Sequence, residues 1–138
     1  MATAEVVCVG SELLSGRVDT HTSFLARRLA EASVRLARST AVPDELSAVR
    51  DAVAAAASRA DVVLVCGGLG PTFDDITREA AAAILGRRLY HSKTCEQILG
   101  FNFKLKKLPP NIKDQCLLVE GAKPLENSNG TAVGQKGV

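Results

Sequence analysis

The sequence contains no tryptophan, one tyrosine and four phenylalanines in 138 residues. Aromatics make up 4% of the chain and hydrophobic residues 46%, so alanine, valine and leucine have to build the core. Such small aliphatic side chains favour helices laid closely on a sheet over an aromatic-rich β-sandwich. Excess charge is missing too. The 17 basic and 15 acidic residues leave a net charge of +2, too little for a dedicated nucleic-acid surface. No apolar run approaches the roughly 20 residues of a membrane span. The start, Met1-Ala2-Thr3-Ala4-Glu5, lacks the basic stretch that opens a signal peptide. Histidine is scarce: His21 and His91 stand far apart, which speaks against a histidine-built metal site. The four cysteines, Cys8, Cys66, Cys95 and Cys116, form no CxxC pair. They read as buried, reduced thiols of a cytoplasmic protein.

What is present alternates. Residues 5–9 read as a buried strand and 10–16 as a turn-rich loop. Residues 20–32 predict a helix with Phe24, Leu25, Leu29 and Ala32 on its apolar face and Asp19 or Thr20 as its N-cap. A second strand is expected over 34–42, broken by Pro43-Asp44. A second helix follows over 45–58, with Leu46, Val49, Val53 and Ala57 at helical spacing. A third strand over 62–66 leads through a glycine turn to a third helix over 78–85, stopped by Gly86. Strands alternating with helices predict an α/β fold with a largely parallel sheet. Continuous apolar strands place helices on both of its faces. Beyond Gly86, residues 93–104 read as a fourth helix with Ile98, Phe101 and Leu105 on one side. Pro109-Pro110 reads as a helix stop, 117–119 as a strand, 127–130 as a turn and 131–133 as a short last strand. Lys104-Leu105-Lys106-Lys107 is a basic patch, read as a solvated loop or as a contact for RNA or an acidic partner. The length fits one domain over residues 1–138.

Ligands of open α/β sheets gather beyond the carboxyl ends of the strands. Three loops leave such ends here. They are Gly10-Ser11-Glu12-Leu13-Leu14-Ser15-Gly16, Val42-Pro43-Asp44-Glu45, and the stretch from Gly67 to Thr77. The third orders strand, glycine turn and helix start so that amides and the positive end of a helix meet, which suits a phosphate. Gly67, Gly68 and Gly70 either make a tight turn or admit a ligand close to the backbone. Phosphate binding alone does not explain Asp74 and Asp75. Each either caps the following helix or holds a divalent cation against the phosphate. Asp44 has the same pair of readings: helix cap or site carboxylate. Ser11 and Ser15 bond either their own loop or a ligand.

The run Gly67-Gly68-Leu69-Gly70-Pro71-Thr72-Phe73-Asp74-Asp75-Ile76-Thr77-Arg78-Glu79-Ala80 resembles the signature of the molybdopterin-binding domain family of MoaB, MogA and gephyrin type. It is most similar to the CinA branch, which includes the related domain of eukaryotic FAD synthase. Residues 10–16 resemble the first loop of that branch. Pro110-Asn111-Ile112-Lys113-Asp114-Gln115 resembles its Asn-x-Lys-x-Gln element. Asn127-Ser128-Asn129-Gly130-Thr131-Ala132-Val133-Gly134 resembles its Asn-x-x-Gly-Thr-Ala-x-Gly element. Leu69 stands where molybdopterin-transferring members have threonine.

The resemblance implies a three-layer α/β/α sandwich with a mostly parallel sheet, self-associating as a dimer or trimer. It implies one of two activities. One is hydrolysis of a nucleotide pyrophosphate, such as ADP-ribose or FAD, with a divalent metal ion of the Mg, Mn or Co class. The other is binding and adenylylation of molybdopterin in molybdenum-cofactor biosynthesis. A third reading is a non-catalytic oligomerisation or regulatory unit. By position, the resemblance implies Asp75 as the metal-linked carboxylate, with Asp74 and Asp44 assisting. It implies Ser15 and Gly16, within a loop of Gly10, Ser11, Glu12, Ser15 and Gly16, as ligand contacts; read from the residues themselves, Gly67, Gly68, Gly70 and Thr72 would cradle phosphate, and Lys113 is either a positive charge at the ligand or a solvated surface lysine. Members of the branch continue with a further strand and a Pro-Gly-x-Pro loop, and full CinA proteins carry an NMN-deamidase domain. No proline follows Pro124 here, so the resemblance implies a domain shortened at its C-terminal end.

Overall fold

The computed structural model describes residues 1–128 and 130–137. They fall into two compact units, Met1–Gly68 and Leu69–Val138. Asn129, in the expected 127–130 turn, lies outside the described residues. No helix among the described residues is long and apolar enough to cross a membrane.

The first unit is built on three parallel strands, β1 (Thr3–Val9), β2 (Arg35–Val42) and β3 (Val62–Cys66), in the order β2-β1-β3. β1 is central, and every residue from Ala4 to Val9 is buried. That is why this stretch shows no polar–apolar alternation. Helix α1 (His21–Glu31) joins β1 to β2, and α2 (Leu46–Ala57) joins β2 to β3. The first crossover leaves β1 in one direction and the second passes back over it. With both right-handed, the helices cover opposite faces of the sheet. α1 packs on β1 and β2, and α2 packs on all three strands. β2 forms an edge of this sheet, with Arg35, Ala37, Arg38 and Ser39 exposed.

Details depart from the sequence reading. The loop after β1 is wound into a short 3-10 segment, Ser11–Ser15, ended by Gly16 at φ 110. Of the two caps expected for α1, Asp19 supplies the side-chain bonds, its Oδ1 accepting the His21 and Thr22 amides at 3.0 and 3.2 Å, while Thr20 holds the N-cap position without a side-chain bond. Phe24 is 54% exposed. The inward stripe of α1 is Thr22, Leu25, Ala26 and Leu29, all half-buried, and Phe24 lies off that stripe.

The second unit contains α3 (Thr77–Leu85), β4 (Leu89–His91), α4 (Lys93–Phe103), α5 (Pro110–Lys113), β5 (Leu117–Val119), β6 (Lys123–Leu125) and β7 (Gly134–Lys136). β4 pairs with β5 and β6 with β7, both antiparallel. Gly86 ends α3 in the left-handed conformation, φ 61, as expected. The core is Cys95, Leu99, Leu108, Cys116, Leu118 and Val133.

Three expectations fail in this unit. α4 turns Cys95 and Leu99 inward and leaves Phe101 85% exposed and Leu105 43% exposed. Its buried stripe starts at Cys95 and takes Ile98 and Leu99. Pro109-Pro110 does not stop a helix. α4 has already ended at Lys104, and Pro110 opens α5, where its missing N–H costs nothing. The last strand is Gly134–Lys136, not residues 131–133. β4 and β6 were not anticipated: three residues each, they are too short to show a period. The Gln135 side chain extends this small sheet. Its Oε1 accepts the Val119 amide at 2.9 Å, and its Nε2 donates to the Leu117 carbonyl at 2.8 Å.

Candidate functional site

In the first unit the loops after β1 and β2 are locked together. The Ser11 amide donates to Asp44 Oδ2 at 3.0 Å, and the Asp44 amide donates to Ser11 Oγ at 3.1 Å. Asp44 therefore braces the neighbouring loop. The N-cap position of α2 is Glu45, with no side-chain cap. Ser15 Oγ donates to the Ser11 carbonyl at 3.3 Å, closing the 3-10 segment on itself. The Glu12 carboxylate folds back over Gly10, lying 2.6 Å from where a Cβ on Gly10 would stand. Ser11, Glu12, Ser15 and Gly16 are exposed. At the end of β3, Gly67 and Gly68 both have positive φ, 91 and 67. A Cβ on Gly67 would lie 2.2 Å from the Val9 carbonyl oxygen, so the close neighbour that demands glycine here is the end of β1.

In the second unit the loop before α3 folds around a carboxylate. Asp75 Oδ2 accepts the Thr72 amide at 3.0 Å and the Thr72 hydroxyl at 2.7 Å. A Cβ on Gly70 would come within 2.6 Å of Asp75 Oδ2. Partial burial works to raise the Asp75 pKa. The Thr72 hydroxyl and amide, the Gly70 amide and the Arg78 charge outweigh it and hold the carboxyl below its ordinary value. Neither aspartate caps α3, whose N-cap position is Ile76 without a side-chain bond. Asp74 is exposed beside Asp75. Lys113 Nζ stands 4.0 Å from Glu96 Oε1, both half-exposed. Gly70, Thr72 and Asp75 thus come together, but with Thr72 donating to Asp75 and Gly70 packed against the same carboxylate.

The sequence reading missed Arg78. It is 3% exposed, and its guanidinium donates from Nη1 to the Leu69 carbonyl at 2.7 Å and from Nη2 to the Gly70 carbonyl at 2.6 Å. Its Nε has no partner. Desolvation pulls its pKa down, partly countered by Glu79, Asp75 and Asp114. A lone arginine in an alanine-rich helix carries no sequence signal that tells a buried cation from a solvated one. Chemically, the loop is a set of amide and hydroxyl donors wrapped on an anion, with a buried cation behind it.

Comparison with known proteins gives a consistent result. The family described as "Probable molybdopterin binding domain" matches residues 5–134. A protein of Moorella thermoacetica named "Putative competence-damage inducible protein" is 42% identical over 134 residues, covering 95% of this chain and 32% of that relative. The chain therefore spans about a third of the length of the curated relatives it matches. The crystal structure of the protein CinA from Thermoplasma acidophilum, described there as of unknown function, superposes with a TM-score of 0.90. It is 31% identical, and the match covers 99% of this chain and 82% of that one. The molybdopterin biosynthesis enzyme MoaB of Thermus thermophilus shares the fold, with a TM-score of 0.60 at 23% identity over 86% of this chain and 79% of its own.

Proposed function

The chain belongs to the molybdopterin-binding domain family and is CinA-like; from that premise we propose that it binds a nucleotide pyrophosphate of the ADP-ribose or FAD class and hydrolyses it with a divalent cation. One observation carries this reading: the loop before α3 already holds an anion, the Asp75 carboxylate, through the amide and hydroxyl of Thr72, with Gly70 packed against it. Such donors are equally suited to a phosphate oxygen, so the loop is chemically able to exchange one anion for the other.

No group of three or more histidine, cysteine, aspartate or glutamate side chains among the described residues is placed to hold a metal ion. An all-protein cage is therefore not what these residues supply. Magnesium-class ions instead bind through one or two carboxylates together with substrate phosphates and water, a requirement that Asp75 and its exposed neighbour Asp74 meet. When bound, such an ion would neutralise phosphate charge and lower the pKa of a water. The residues' own part is to keep Asp75 ionised and to present donors to phosphate.

Incubation with ADP-ribose or FAD and Mg²⁺, Mn²⁺ or Co²⁺ is expected to release AMP. Asp75→Ala should cost about a hundredfold or more in turnover, the scale of a lost catalytic group. Absence of AMP with every ion and both substrates removes this reading. A second reading, molybdopterin binding, draws support from the family description. Micromolar molybdopterin affinity without dinucleotide hydrolysis would select it. Leu69, in place of threonine, weighs against it.

A further inference from the structure

We infer that Arg78 is the positioning residue of this loop: its guanidinium sets two successive peptide planes so that a donor faces the bound anion and an acceptor is held away from it. The inference deepens the reading of the loop as an anion site and rests on it.

The argument starts from the peptide unit. In a trans peptide the carbonyl and the following N–H point in opposite directions. The Leu69 carbonyl and the Gly70 amide share one plane. Arg78 Nη1 holds that carbonyl at 2.7 Å, so the Gly70 N–H must point the other way, and Gly70 packs so closely on the Asp75 carboxylate that a Cβ there would lie 2.6 Å from Oδ2. The next plane joins the Gly70 carbonyl to the nitrogen of Pro71, which has no hydrogen. That plane has only an acceptor to offer, and a free carbonyl beside an anion repels it. Arg78 Nη2 takes up this carbonyl at 2.6 Å. One planar fork therefore fixes both planes, which a lysine ammonium, a single point charge, cannot do.

The cost of the arrangement points the same way. Arginine is rarely this buried without an ion-pair partner. Among the described residues, no carboxylate lies within ion-pairing distance of Arg78; the four salt bridges belong to other residues. Its third donor, Nε, is left unpartnered. The side chain is placed for the two carbonyls at the expense of its own satisfaction.

Amide hydrogen exchange of the full chain, read residue by residue by NMR, tests the inference in wild type, Arg78→Gln and Arg78→Lys. In Arg78→Gln the Gly70 and Thr72 amides should exchange at least tenfold faster, while the Cys95 and Leu99 amides of α4 keep wild-type protection. Arg78→Lys should still exchange several-fold faster at Gly70. If Arg78→Gln does not fold, Arg78→Lys carries the test. Wild-type protection at Gly70 in the variant that folds overturns the inference, and so does an equal acceleration throughout the second unit. Calorimetric titration with ADP-ribose and Mn²⁺ forms the second arm, with affinity expected to fall at least tenfold in Arg78→Gln. Equal affinity in wild type and variant sinks the role of Arg78 and spares the nucleotide reading. No ADP-ribose binding by wild type, with the exchange result as expected, sinks the nucleotide reading and spares Arg78.

Discussion

At the scale of single residues, the central strand carries a charge where its sequence neighbours are apolar. Glu5 is 4% exposed on β1, and Arg59 grips it at both oxygens, Nε to Oε1 at 2.6 Å and Nη2 to Oε2 at 2.9 Å. The Arg59 hydrogen bond comes first among the causes that hold the Glu5 carboxyl below its ordinary value of 4.5. A depressed carboxyl stabilises the fold above its unfolded-state pKa and loses that contribution as pH falls through the folded-state one. Glu5→Gln should therefore lower the urea midpoint most at neutral pH. The deficit should narrow below about pH 4.5 and close once Glu5 itself is protonated. Residue-level roles were only partly legible in the sequence. Gly67-Gly68-Leu69-Gly70 announced a backbone under constraint, but the constraint at Gly67 is the Val9 carbonyl and at Gly70 the Asp75 carboxylate, both within the chain. The Ser11–Asp44 exchange of hydrogen bonds joins residues 33 apart in sequence, which no local pattern encodes.

At the scale of elements, period and punctuation succeeded where segments were long. β1, β3, α2 and α3 were legible from continuous apolar runs, helical spacing and the glycine stop at Gly86. α4 was located correctly, but its inward face was misread, because Phe101 outweighs Leu99 in bulk and the true stripe includes Cys95, a small residue. Leu99→Ala should cost about 2–5 kcal/mol in denaturant unfolding, since Leu99 is fully buried. Phe101→Ala should stay within about 0.5 kcal/mol, as expected for a surface change. The reverse ranking would mean that the opposite face of α4 carries the packing. Composition adds to shortness in hiding β6 and in displacing the expected last strand from β7. Pro124 lies inside one of them, and Gly134 opens the other, and both residues ordinarily argue against a strand.

At the scale of the molecule, each unit carries two of the four thiols, all free: Cys8 and Cys66 in the first, Cys95 and Cys116 in the second. Burial is the leading cause that raises all four, with Cys66 and Cys116 pushed up to about 11. The thiolate is the reactive form, so at pH 8 iodoacetamide should modify native Cys66 and Cys116 roughly 200-fold more slowly than unfolded thiols. Mass spectrometry of peptides from native and urea-unfolded protein reads this out for each unit. Cys8, Cys95 and Cys116 are buried as expected and Cys66 only half-buried; rapid native labelling at Cys66 or Cys116 would contradict their shielding. The overall α/β class was legible because a core poor in aromatics and an alternation of strands and helices point the same way. One feature of the first unit bears on how the protein keeps as a solution. Among the described residues β2 pairs on one side only, with β1, and its exposed residues include Arg35 and Arg38. Two molecules meeting margin to margin would have to crowd guanidinium against guanidinium before any ladder could form. Charged side chains on an edge strand oppose such pairing, whatever chemistry the loops carry.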